Sequence, residues 1–194
     1  MFGGPTTGNL AVNNSYTVSN EAGSISLYKY NPHHHWGTPT IYSDSSFFYM
    51  YFCGFDASGN LFVDGYTSYD GSFVLAVLPV GSGRFTNLSL DQSIEVPGGI
   101  MWDGQYMTLA DSGLSPPVIY RFTASGSTAT VVGSTTLSGS DVVQYWINGS
   151  KIVGPQPKTS EVGIWGYPAG GKAARSITNG LHVPSGLTVS PSRE

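Results

Sequence analysis

Cysteine, charge and long apolar runs are all scarce in this chain of 194 residues, and each scarcity removes a class of protein. Cys53 is the only cysteine, which excludes an internal disulfide and any multi-cysteine zinc site. A lone small thiol at the start of an inner strand packs as a hydrophobe rather than serving as a nucleophile. Charged residues make up 10% of the chain and the formal net charge is −4. The eight Lys and Arg residues are scattered rather than striped, so nucleic acid finds no electrostatic footprint. No apolar run reaches the length of a membrane span, and the N-terminal MFGGPTTGNL has neither the basic nor the apolar region of an export signal. The low charge and the wealth of Ser, Thr, Gly and Tyr nevertheless point to an extracellular or periplasmic protein, with a leader either removed or not captured in this sequence. Helical periodicity is missing as well, because Gly or Pro interrupts every stretch that starts an i, i+3, i+4, i+7 pattern.

What the chain does have is glycine, aromatic side chains and internal repetition. Gly accounts for 26 residues, about twice its ordinary share, and aromatic residues reach 13%. Both suit many short strands joined by tight turns. A unit of strand, Gly turn and strand recurs about every 44 residues, a period typical of solenoids and propeller blades. Its copies are YFCGFDASGNLFVDG (51 to 65), PGGIMWDGQYMTLADS (97 to 112) and DVVQYWINGSKIVGP (141 to 155). A fourth copy is split, with PSGLTVSPS (184 to 192) as its first strand and TTGNLAVNN (6 to 14) as its second.

Each copy extends to four strands. CGFD and NLFVD are followed by SFVLAVLP and RFTNLSL; GIMWD and QYMTLAD by PVIYRFT and ATVVGSTTL; VVQYWI and SKIVG by EVGIWGYP and ARSI. In the split copy GLTVS and NLAVN precede GSISLYKY and TPTIYSD. The alternation Ser24-Ile25-Ser26-Leu27-Tyr28 is the period-two signature of a strand. The fold expected is all-β: one small β-propeller domain over residues 1–194, of four blades with four antiparallel strands each. The blades are 51–90, 97–137, 141–177 and a split blade of 1–44 plus 184–194. Radial packing protects the sheet edges of such meanders, and pairing of the N- and C-terminal segments closes the ring. A monomer is expected from that closure, with a dimeric eight-bladed ring as the alternative.

The string Pro-x-Gly-apolar-x-apolar-Asp followed by x-Ser-Gly-Asn-Leu-apolar-Val-Asp, best seen at residues 54 to 65 (GFDASGNLFVDG), resembles the blades of NHL-repeat and gluconolactonase-like propellers. Residues 98 to 111 and 184 to 190 carry it less fully. The resemblance implies blade geometry over the whole chain. Those families commonly have about six blades where this chain has four, and no Glu and Asn set matches the lactonase metal ligands.

Antiparallel pairing brings the start of each innermost strand and the end of the next to one end of the central channel. That mouth collects Asn13, Asn14, Cys53, Asp64, Gly98, Asp111, Val143, Gln144 and Gly154, with Asp141 and His182 just before an innermost strand. Asp64 and Asp111 have two available roles: capping the following loop, as Asx turns do, or supplying oxygens to a hard cation, for which Ca²⁺ fits best. Such an ion would polarise a lactone or ester carbonyl, with Asp111, Asp141 or His182 as the base. No GxSxG, HExxH or phosphate-loop motif is present. In the His33-His34-His35-Trp36 run only His33 and His35 share a side of an extended segment, and the Pro- and Gly-rich flanks place the run in an exposed outer loop.

The aromatic cluster Phe47, Phe48, Tyr49, Tyr51 and Phe52, with Trp102, Tyr145 and Trp146, fills the wedges between blades. Those rings left at the mouth, Tyr51 and Trp146 with Asn14, Asp64 and Gln144, would stack on a sugar while amides and carboxylates meet its hydroxyls. Two functions follow. One is a rigid module binding a small molecule, glycan or protein; the other is a Ca²⁺-assisted hydrolase of a lactone, ester or glycoside.

Overall fold

Alternating apolar residues bounded by Gly, Asp and Ser turns leave this chain little choice but strand, and the computed structural model is built from strands throughout. It describes residues 2–3, 10–13, 23–31, 35–69 and 71–189. No helix occurs among them. The chain divides into two compact units, residues 1–93 with 123–130, and residues 94–122 with 131–194.

In the first unit, β1 (Phe2–Gly3), β2 (Leu10–Asn13) and β3 (Ser24–Tyr28) form one antiparallel sheet with β6 (Thr40–Ser43), in the order β1-β2-β3-β6. Between them, β4 (Tyr30–Asn31) and β5 (His35–Trp36) make a separate small hairpin. That hairpin bears the His run expected in an outer loop; His33 and His34 lie outside the described residues. A second antiparallel meander comprises β7 (Tyr49–Phe55), β8 (Leu61–Tyr66), β9 (Phe73–Leu78) and β10 (Thr86–Leu90). The β7–β8 turn is tied by Asp56, whose Oδ1 accepts from Ser58 N at 2.9 Å and Asn60 N at 2.8 Å while its Oδ2 accepts from Asn60 Nδ2 at 2.8 Å. Gly59 supplies the positive φ of 84° that this turn requires. Asn60 Oδ1 in turn accepts from Val80 N, fastening the end of β9 to the same turn.

The two sheets of this unit bury one face of each against the other. Ile25, Phe47, Met50, Cys53, Phe55, Leu61, Val63, Ala76, Leu78 and Phe85 form that core, with Leu27, Tyr42 and Val74 at its margin. Fully burying a side chain of Leu, Ile or Phe size contributes roughly 1.5–3 kcal/mol.

The second unit holds β11 (Pro97–Trp102), β12 (Met107–Asp111), β13 (Val118–Ser125) and β14 (Thr128–Ser138) as a third meander. A fourth follows in β15 (Trp146–Asn148), β16 (Lys151–Gln156), β17 (Glu161–Gly166) and β18 (Gly170–Ile177). The tip of the β13–β14 hairpin counts with the first unit, where Ser89 and Leu90 of β10 meet Thr128 and Ala129 in a short parallel pairing. Ala110, Ile119, Leu137, Val142, Tyr145, Ile147, Ile152 and Trp165 form the core between the third and fourth sheets.

The expected all-β fold is present, with its strands in a four-stranded sheet, a 12-stranded sheet and a two-stranded hairpin, and one expected pairing is absent. Leu10–Asn13 was expected to pair with Gly186–Ser190; its two neighbours are instead β1 and β3, with Phe2 opposite Ala11 and Gly3 opposite Leu10. Residues 184–189 form no strand, and Ser190 lies outside the described residues. A strand offers hydrogen bonds to two neighbours only, and a partner a few residues away costs far less loop-closure entropy than one at the far end of the chain. The fourth sheet also begins late. Its first strand was read from Val142, yet β15 starts at Trp146, because the Val143 carbonyl accepts Gly99 N at 2.8 Å instead of joining a ladder with β16.

Candidate functional site

In the first unit the site begins with one extra residue. β7 pairs Tyr49 with Tyr66 and Met50 with Gly65, then Cys53 with Val63, so a bulge falls at Tyr51 and Phe52. The bulge turns the Phe52 amide out of the ladder, and Asp64 Oδ1 accepts it at 2.8 Å. Asp64 is fully buried, and its Oδ2 has no hydrogen-bond partner among the described residues. Burial therefore pushes its carboxyl well above the ordinary carboxylate range, against the pull of the Phe52 hydrogen bond. Neighbouring Cys53 is pushed up to about 12, first by burial and further by the nearby Asp64. A thiol so placed stays protonated at neutral pH and packs as a core residue.

Around the bulge several aromatic rings are exposed. Phe48 is 37% exposed, Tyr51 46% and Tyr69 77%. Tyr51 meets Tyr66 edge to face at 5.5 Å and Tyr49 at 6.1 Å, and Tyr49 meets Phe48 at 4.4 Å. These contacts hold the rings in fixed orientations, and the polar loop carrying Thr67, Ser68 and Ser72 borders them. That loop is closed by Thr67 N donating to Ser72 O and by Ser72 N donating to Thr67 Oγ1.

In the second unit Asp111 is 1% exposed and accepts three amides: Glu95 N at 2.9 Å on Oδ2, and Val96 N at 3.1 Å and Gly113 N at 3.0 Å on Oδ1. It brackets the loop that enters the third sheet, the capping role open to it from sequence. Asp141 is half-buried and its Oδ2 accepts from Lys158 N at 2.9 Å. Gln144 is half-buried against Gly186, where a Cβ would stand 2.9 Å from Gln144 Oε1. Gly98 lies so close to the chain at Val143 that a Cβ would come within 2.6 Å of the Val143 carbonyl oxygen. Trp146 sits on the face of the fourth sheet turned away from its core, opposite Val153. His182 is exposed, and beside it Val183 takes a positive φ of 46°.

Asp64 and Tyr51 thus belong to the first unit, and Asp111, Asp141, Gln144, Trp146 and His182 to the second; Asn14 lies outside the described residues. Among the described residues no group of three or more His, Cys, Asp or Glu side chains is placed to hold a metal ion.

One polar cluster escaped the sequence reading. Tyr167 donates its hydroxyl to Asp103 Oδ2, Asp103 Oδ1 accepts Gln105 N and Tyr106 N at 2.7 Å each, and the Arg121 guanidinium stands 6.0 Å from the Tyr167 ring centre. Burial, then the bond to Asp103, raises the Tyr167 hydroxyl above its ordinary value. Gly133 admits Arg121, since a Cβ there would lie 2.3 Å from Arg121 Nη2. Only Asp103-Gly104 signals this cluster in the sequence, as a turn.

No family model and no curated protein matches the chain. Solved structures do. A protein of unknown function from Desulfotomaculum acetoxidans superposes with a TM-score of 0.57 at 14% identity, over 85% of this chain and 53% of that one. A putative 6-phosphogluconolactonase from Bacteroides fragilis gives 0.53 at 13% identity, over 91% of this chain and 56% of its own. The chain therefore spans about half the length of either structure. At such identity the likeness is one of fold alone, and that fold is all-β and propeller-like.

Proposed function

We propose that the chain is a rigid β-propeller module of four blades that binds a glycan at the mouth end of its second sheet. The observation that supports this reading is the ring cluster of Phe48, Tyr49, Tyr51 and Tyr66, held edge to face, with Phe48 and Tyr51 exposed and the Ser- and Thr-bearing loop following Tyr66. Rings fixed by their neighbours lose little entropy on binding, and they present flat apolar surface to the C–H face of a sugar, with hydroxyl partners at the rim. An extracellular or periplasmic location agrees with such a ligand.

The test is a glycan array followed by calorimetry on the strongest hit. Tyr51→Ala should weaken that binding at least tenfold, about 1.4 kcal/mol, while leaving the melting curve in place. Glycan binding that Tyr51→Ala leaves intact, or a parent chain that binds proteins or small molecules but no glycan, would defeat the reading.

A second reading, a hydrolase of lactones, esters or glycosides, draws on Asp64. Burial raises the proton affinity of this carboxyl, as a general acid requires. The name of the Bacteroides fragilis structure makes a lactone the first substrate to try. Lactone turnover abolished by Asp64→Asn would support this reading, and a calcium chelator would show whether Ca²⁺ takes part.

A further inference from the structure

The polar cluster around Tyr167 lies wholly within the second unit, and neither reading of function above draws on it. It grows from the ladder of the third sheet. Met101 opposes Thr108 and Thr108 opposes Arg121, and directly opposed residues share a face. Met101 packs at the margin of the core shared with the fourth sheet, as does Tyr167, so Arg121 leaves β13 on the face turned to that sheet. Thr108 is buried there and its hydroxyl is occupied, donating to the Met101 carbonyl at 2.8 Å and accepting from the Tyr145 hydroxyl at 2.7 Å. Arg121, next in the row, is half-buried.

The guanidinium is held but not paired. Glycine at position 133 lets it lie against β14, since a Cβ there would stand 2.9 Å from Cζ and 3.1 Å from Nε. The Tyr167 ring centre is 6.0 Å away, within reach of a cation–π attraction. Of the three guanidinium nitrogens, Nε alone is buried without a hydrogen-bond partner among the described residues, which leaves Nη1 and Nη2 for a ligand. The carboxylate of the cluster is already engaged, because Asp103 accepts the Tyr167 hydroxyl on Oδ2 and the Gln105 and Tyr106 amides on Oδ1. A partly desolvated cation without an anion is costly. A side chain fixed between a backbone and a ring gives up little freedom when an anion arrives. The planar fork of a guanidinium matches two coplanar oxygens, and Asp103, one hydrogen bond beyond the ring, favours a single negative charge over a double one.

We propose that Arg121, backed by Tyr167 and Gly133, anchors a binding site for a small organic carboxylate, gripped by the two terminal nitrogens as a pair. The site stands independently of the glycan reading.

Proton–nitrogen correlation spectra of the isotope-labelled chain report the Arg121 Nε–H directly, its signal assigned by its loss in Arg121→Lys. Titration with sodium acetate to about 200 mM, with sodium chloride holding the ionic strength constant, should move this signal along a saturating curve. A midpoint on the order of 10 mM is expected for one such ion pair. Arg84 and Arg175, both exposed, should show no saturating response. Asp103→Asn removes the competing charge and should lower the midpoint about threefold. Gly133→Ala crowds the guanidinium and should raise it roughly tenfold or more, with the circular dichroism spectrum checking that the variant is folded. Arg121→Lys keeps the charge and loses the fork, so the Gly133 amide, which should shift with acetate in the parent, should stay still. Inorganic phosphate should bind more weakly than acetate. An Arg121 signal that acetate moves no more than chloride does, phosphate binding tighter than acetate, a folded Gly133→Ala chain with the parental midpoint, or an acetate response at Gly133 that survives Arg121→Lys would overturn the proposal.

Discussion

Replacing Asp64 with Asn should make the protein more stable at neutral and alkaline pH, although Asp64 is among the most buried residues of its sheet. The carboxyl holds the bulged Phe52 amide through Oδ1, while Oδ2 is sealed from water with no partner. Asn keeps the acceptor and cannot ionise. Because the folded-state value is raised above the ordinary value of 3.8, mainly by burial, the native state binds this proton more tightly than the unfolded chain does. The associated stability is fully present below about pH 3.8 and drains away as pH rises toward the folded value. Every unit of upward shift that the pH has crossed costs about 1.4 kcal/mol. Asn still buries an unpaired amide group, which returns part of the gain, so the Asn variant should gain on its parent as the pH rises from 4 to 8. Urea unfolding followed by tryptophan fluorescence at pH 4, 6 and 8 measures both ends. Asp64→Ala, which also strands the Phe52 amide, should lose about 1–3 kcal/mol relative to Asn at every pH. An Asn variant offset from the parent by the same amount at all three values would refute the reasoning.

Three further outcomes follow from single contacts. Asp111→Ala orphans the amides of Glu95, Val96 and Gly113 and should lower stability by about 2–4 kcal/mol, whereas Asp111→Asn, which keeps one acceptor, should lose less; thermal melts separate the two. Gly163→Ala would place a Cβ 2.2 Å from Trp165 Cη2, so it should destabilise by about 1–3 kcal/mol and shift the emission of this buried indole, visible in native-state fluorescence. Cys53, with its thiol pushed up to about 12, should resist a thiol reagent at pH 8 until denaturant is added; rapid native-state labelling would show the burial to be wrong.

The strands were legible because their information is local. In residues 54 to 65 a turn of Asp, Ala, Ser and Gly sits between two apolar runs, and the structure places β7 and β8 on either side of it. The alternation at Ser24–Tyr28 likewise sorts Ile25 into the core, although Ser26 on the other side of the strand is buried as well. What local pattern does not encode is which distant backbone group comes to meet a given side chain. Asp64 and Asp111 look alike in sequence, each closing the second strand of a repeat. One meets a single amide and the other three, because the bulge in β7 and the loop at Glu95 and Val96 differ. The bond from Tyr167 to Asp103 spans 64 residues, and no spacing rule anticipates it. The terminal strand was misread for a related reason. GLTVS has suitable alternation, but Phe2–Gly3 lies nearer to the same edge of β2.

The knot at Asp56 and Asn60 has a kinetic consequence. All but one of its hydrogen bonds join residues at most four apart, so it can form before any sheet packs, on the microsecond scale of an isolated hairpin. Loop closure is then already complete for β7 and β8, and Asn60 waits with a free acceptor for Val80, the residue that follows β9. The second meander is therefore positioned to assemble first and outward from this turn, giving Ile25 of the first sheet a surface on which to condense.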